Sequence, residues 1–169
     1  MFINTNKLTN IFMILNNLLY IIIFLPLIIG FSIVRWPSKL HIISKSNATP
    51  PPHVFSIMWT LFYFLLGILL YRLILPFING EYITSWRIGT LVILVLHLIL
   101  TFGWPLLYAY GYRRQALYDI VLVLASVLVL QMMLINHDQL FVVLLAPYIA
   151  WLIFALHLNY EAVTSHVTN

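Results

Sequence analysis

Long apolar runs separated by polar breaks set the pattern of this chain, at about residues 11–34, 52–76, 88–109, 115–135 and 140–163. A helix needs about 20 mostly apolar residues to cross the hydrocarbon core of a bilayer, and each run meets that length. None alternates apolar and polar positions as a barrel strand would, and an open strand leaves its backbone unsatisfied in lipid. The pattern predicts an all-α protein: an integral membrane bundle of five transmembrane helices, forming a single domain over residues 1–169. Pro52 and Pro76 read as start and stop signals of the second run. The breaks at Asn79-Gly80-Glu81, Tyr112-Arg113-Arg114 and Asn136-His137-Asp138-Gln139 are short, so the helices they join are expected to be antiparallel neighbours. The break from Arg35 to Pro51 is longer. The first run is too long for a signal peptide and no small-residue cleavage site follows it, so it is read as a retained helix.

Composition turns that pattern into a class. Hydrophobic residues make up 63% of the chain and charged residues 7%, against about 25% charged in soluble domains. A soluble fold of 169 residues has too much surface to hide this much apolar area, so the lipid bilayer is the first partner. The absence of Cys excludes disulfides, thiolate metal sites and a Cys nucleophile. The net charge of +4 includes no basic run, which gives no reading as a nucleic-acid binder. Arg35, Lys39, Lys45, Arg113 and Arg114 fall on one side of the membrane with the C-terminus, and Lys7, Arg72 and Arg87 on the other. The richer side is expected to be cytosolic, placing the first loop and the C-terminus there. The membrane itself is left open: mitochondrial outer, bacterial envelope and other endomembranes all fit.

Polar and aromatic groups within spans are the candidate chemistry, because buried polar groups are costly in lipid. Phe55, Trp59 and Tyr63 recur at intervals of four in the second run. His97, Thr101, Trp104 and Tyr108 share a face of the third, and Tyr148, Trp151, Ala155 and Asn159 a face of the fifth. Turned inward, these stripes would line a cavity with flat walls and few polar groups, suited to a large planar apolar ligand. Trp and Tyr also serve as interfacial anchors, so each ring alone has a plainer reading. His97 reads as a hydrogen-bonded packing residue rather than a metal ligand. Asp119 has two readings, a helix N-terminal carboxylate paired with Arg113 or Arg114 or a pocket group. Glu161 reads as solvated. No phosphate loop, Gly-x-Ser-x-Gly or His-Glu-x-x-His pattern occurs. The chain is therefore not read as an enzyme, and no cofactor or metal is required.

Four motif pieces fall in an ordered series: Pro50-Pro51-x-x-x-Phe55-x-x-x-Trp59-Thr60-x-x-Tyr63-x-x-x-Gly67, Trp104-x-x-Leu107-Tyr108, Ala116-Leu117-x-Asp119-Ile120, and Pro147-Tyr148-x-x-Trp151-x-x-x-Ala155-x-x-Leu158-Asn159. The series resembles the TspO/MBR family, the tryptophan-rich sensory proteins and the translocator protein or peripheral benzodiazepine receptor, over about residues 36–159. The resemblance implies a five-helix membrane receptor or carrier, often a homodimer, whose cavity binds porphyrin or heme-type tetrapyrroles and, in animals, cholesterol. Carried over residue by residue, Trp59, Tyr63, Trp104, Pro147, Tyr148, Trp151, Ala155 and Asn159 would contact ligand. The sequence departs from the family at His53 and Ala48, where relatives carry Trp, and at Thr101, where they carry Asn. Loss of the loop Trp argues against the alternative of a light- or oxygen-dependent porphyrin-degrading enzyme. A membrane interaction protein without ligand is the other alternative. Binding without efficient degradation is the expectation.

Overall fold

The computed structural model describes residues 20–33 and 50–164 of the chain. These form α1 (Ile21–Ile33), α2 (Pro52–Ile78), α3 (Ser85–Ala109), α4 (Arg113–Leu134) and α5 (Gln139–Thr164), with no strand among the described residues. The last four are each long and apolar enough to cross a membrane. α1 is a shorter apolar helix, and the rest of the run read at residues 11–34 lies outside the described residues.

Local chemistry sets the helix ends. Pro52 opens α2 at a position where its missing N–H costs nothing. Pro76 is not the stop the sequence suggested: it lies inside α2, which continues to Ile78. In the last turn a proline removes one hydrogen bond and leaves the rest of the turn intact. The true stop is Gly80, whose φ of +69° lets the Glu81 amide donate to the Pro76 carbonyl at 3.0 Å. Gly111 closes α3 in the same way: its φ is +83°, and the Tyr112 amide donates to Leu107 at 2.9 Å. α5 starts behind Asp138, whose Oδ1 accepts a long 3.5 Å bond from the Phe141 amide.

These short links make α2 to α5 successive antiparallel neighbours, with α4 packed closely between α3 and α5. The shared core holds Leu66 and Leu69 of α2, Leu94 of α3, Val127 and Leu130 of α4, and Leu145 of α5. α1 runs antiparallel to α2, since Tyr20 stacks on Tyr71 at 5.5 Å and Phe24 meets Phe64 at 5.7 Å. Gly67 makes the approach possible, because a Cβ there would run into the Ile23 carbonyl. Outward faces are apolar as well: Val92 and Ile99 are each 61% exposed and Met132 74%. Apolar surface on the outside of a closed helical bundle is solvated by lipid, so the protein is an integral, multi-pass membrane protein.

Candidate functional site

The aromatic stripes converge at the end of the bundle where α2 begins and where α3 and α5 end. Phe55, Trp59 and Tyr63 descend from α2, Trp104 and Tyr108 come from α3, and Ala155 and Asn159 from α5. They bound a cavity of about 120 Å³. Its wall rings lean on one another: Trp59 stacks on Trp104 at 5.7 Å, with Tyr63 at 5.6 Å from Trp59 and Phe55 at 6.3 Å from Trp104. The small side chain of Ala155 leaves the room that a larger residue would fill. No charged side chain lines the cavity among the described residues.

Hydrogen bonding fixes part of this wall and leaves part open. Asn159 donates through Nδ2 to the Ala155 carbonyl at 2.8 Å, which orients its amide so that Oδ1 accepts from Trp104 Nε1 at 3.1 Å. Trp59 Nε1 is shielded and has no acceptor among the described residues. Trp151 Nε1 is in the same condition. The Trp151 ring stands behind the wall, 5.4 Å from Phe55 and 6.4 Å from Phe62, and does not itself line the cavity.

The deeper members of the stripes form a separate cluster. His97, Thr101, Ser126 and Tyr148 are buried together, joining α3, α4 and α5. Ser126 Oγ donates to the Val123 carbonyl at 2.8 Å, so toward His97 Nδ1, also at 2.8 Å, it accepts. Nδ1 therefore carries the ring hydrogen, and Nε2 accepts from the Tyr148 hydroxyl at 2.9 Å; this tautomer is assigned from the network. Thr101 gives its hydrogen to the His97 carbonyl at 2.7 Å. None of the four lines the cavity, and Pro147 is exposed within α5. His53 is exposed on the first turn of α2, and Ala48, Arg35, Lys39 and Lys45 lie outside the described residues.

Two charged groups differ from expectation. Among the described residues Asp119 forms no ion pair with Arg113 or Arg114, does not line the cavity, and has no partner for its Oδ2. The arginines precede it by five and six positions, out of register with the three- and four-residue spacing that brings helical side chains together. Glu161 is not simply solvated: one oxygen lies 3.2 Å from His157 Nε2 and the other is shielded. Among the described residues no three metal-ligating side chains cluster.

Sequence reasoning missed the α1 wall. Gly30 and Phe31 line the cavity, and a Cβ on Gly30 would strike the Tyr63 ring. A glycine within an apolar helical run signals close approach, but names no partner. Ser56 and Thr60 also line it, set at four-residue spacing beside the Phe55 stripe.

Fold and site together define a multi-pass helical membrane protein with an aromatic, uncharged cavity at one end of the bundle. The chain belongs to the TspO/MBR family, whose model matches residues 12–164. It is 34% identical over 120 residues to the tryptophan-rich protein TspO of Archaeoglobus fulgidus, covering 70% of this chain and 73% of that protein. No solved structure matches the chain.

Proposed function

We propose that the chain is a membrane receptor or carrier for flat hydrophobic ligands, tetrapyrroles of the porphyrin and heme type first and sterols second. The observation that carries this reading is the Trp59 N–H, which has no partner among the described residues, within a wall of stacked rings. Such a wall takes a planar ligand by stacking, and the free donor selects one with an acceptor atom facing it. Drug-sized ligand sites occupy about 300–1,000 Å³, more than the cavity of about 120 Å³. A tetrapyrrole therefore enters by parting Trp59 from Trp104 and taking the place of one ring against the other. The protein binds rather than transforms its ligand, and it needs no cofactor.

In this reading α1 continues into a fifth span of a single domain, because it already runs antiparallel along α2. The cavity end is cytosolic, where Arg113 and Arg114 lie, and the functional unit is a homodimer. Titrating the purified chain with protoporphyrin IX tests the proposal. Saturable quenching of Trp fluorescence is expected, weakened by Trp59→Ala or Trp104→Ala. The small cavity favours one other reading, an interaction protein whose site has closed. Quenching that never saturates, or that ignores both substitutions, would establish that reading instead.

A further inference from the structure

The cluster beneath the cavity holds a phenol against a base. Tyr148 is fully buried, its hydroxyl donates to His97 Nε2 at 2.9 Å, and Nδ1 of that ring is anchored on Ser126 at 2.8 Å. Removing an electron turns a phenol into a strong acid. A buried phenol is therefore readily oxidised only where a proton acceptor already lies within hydrogen-bond reach, and Tyr148 has one. The ring is also close to the cavity wall: its centroid is 6.5 Å from that of Trp59, which stacks on Trp104 at 5.7 Å. Phe62 fills the neighbouring space, 4.9 Å from Tyr148. Electrons cross such gaps between aromatic rings rapidly.

We propose that Tyr148 and His97 form a redox site that refills an oxidised indole in the cavity wall. The role rests on the reading of the cavity as a site for flat, light-absorbing ligands, because the oxidant is the photoexcited state of such a ligand. The excited ligand takes one electron from Trp59 and becomes a radical anion. The Trp59 radical cation takes one electron from Tyr148, the Tyr148 O–H bond breaks, and the proton passes to His97 Nε2. Trp59 is restored, Tyr148 is a neutral phenoxyl radical, and His97 is an imidazolium whose Nδ1–H still points at Ser126. The ligand radical anion then returns its electron to Tyr148 while the proton moves back from Nε2. Light is dissipated, and ligand and protein end unchanged. His97 acts here as a positioning residue and proton acceptor for Tyr148.

Pulse radiolysis of the full chain in detergent tests this without any ligand. Azide radicals oxidise indoles in preference to phenols, and the decay of indole-radical absorbance is followed against the rise of the tyrosyl signal. A concentration-independent conversion is expected, slowed severalfold in D2O, lost in Tyr148→Phe and slowed severalfold in His97→Leu. Tyr118→Phe, at an exposed position on α4, should leave it unchanged. Absence of conversion, survival in Tyr148→Phe, or indifference to D2O overturns the proposal. Where His97→Leu does not fold, the isotope effect on the unaltered chain decides alone. Failure here leaves the porphyrin titration untouched, and failure of that titration leaves this result standing.

Discussion

The cavity wall and the His97 cluster both set polar groups among aromatic rings and share α3 and α5, one above the other, yet their hydrogen bonds are finished in different ways. Around His97 the donors are used: Ser126 gives to Val123, Thr101 to the His97 carbonyl, Tyr148 to Nε2 and Nδ1 to Ser126. In the wall, Trp104 is matched to Asn159 while Trp59 Nε1 has no acceptor among the described residues. A saturated network in a low-dielectric interior locks three helices together and admits no guest. An unmatched donor beside a slot favours a guest that carries an acceptor. Saturation sets the His97 cluster apart from Trp59 in the wall, although Trp151 Nε1 behind that wall also lacks an acceptor among the described residues.

The largest effect should come from unseating the helix that completes the wall. A side chain at position 67 meets the backbone of Ile23, which cannot rotate aside as a flexible side chain could. Gly67→Leu is expected to destabilise the fold by about 3 kcal/mol, the upper end of overpacking costs. It should also weaken protoporphyrin IX binding, because Gly30 and Phe31 move with α1. Unfolding in mixed micelles reads the first effect and fluorescence titration the second. Full stability in this variant would mean that α1 is not held where Gly67 places it.

Next in size is His97→Leu, which leaves the buried Tyr148 O–H without its acceptor while Ser126 keeps its bond to the Val123 carbonyl. An orphaned buried group costs about 1–3 kcal/mol, moderated in membranes because the unfolded state also finds partners. A net loss of about 2 kcal/mol is expected, part of it recovered when Tyr148→Phe removes the orphan as well. Porphyrin affinity should change little. An unchanged stability with abolished binding would show that the saturated cluster, not the wall above it, is the ligand site.

Trp59→Phe probes the open donor by itself. The aromatic face stays and the N–H goes, so a ligand bonded to that N–H should lose about 1 kcal/mol of affinity, the value of one hydrogen bond. Trp59→Ala should lose more, since stacking adds about 1–3 kcal/mol in comparable sites. Equal losses in the two variants would remove the hydrogen bond from the account.

The four long spans could be read in the sequence because span length and hydropathy are local properties, and the break at Asn79-Gly80-Glu81 carries its own residue signature. Convergence of Phe55, Trp59, Tyr63, Trp104, Tyr108, Ala155 and Asn159 follows from helical spacing once the helices are antiparallel. His97, Thr101 and Tyr148 lie on the same faces but a turn or more deeper. Spacing fixes a face and leaves depth undetermined, so the sequence could not separate cluster from wall. Gly30 was invisible for a different reason: its role depends on where α1 crosses α2. The coplanar stack of Trp86 on His137, with centroids 4.2 Å apart, likewise joins residues that only the folded bundle brings together.

The smallest effect belongs at the opposite end of the bundle. Arg72 pairs with Asp138 at 3.0 Å and lies over the Phe141 ring at 5.4 Å. Its side chain is 47% exposed, so the attraction is well screened, and pairs of this kind contribute about 0–1 kcal/mol. Asp138 has a second task, because its Oδ1 also accepts from the Phe141 amide at the start of α5. Arg72→Ala removes the pair and spares the cap, so a loss below about 1 kcal/mol is expected. Asp138→Ala removes both and should cost about 1 kcal/mol more. Asp138→Asn keeps an oxygen for the cap and should behave like Arg72→Ala. High salt should shrink the Arg72→Ala difference and leave the capping difference in place. Neither change touches the cavity wall, so porphyrin affinity should be unaltered. If Arg72→Ala weakens binding as much as Trp59→Phe does, ligand entry rearranges the bundle from end to end, and the saturation of one local cluster no longer tells wall from core.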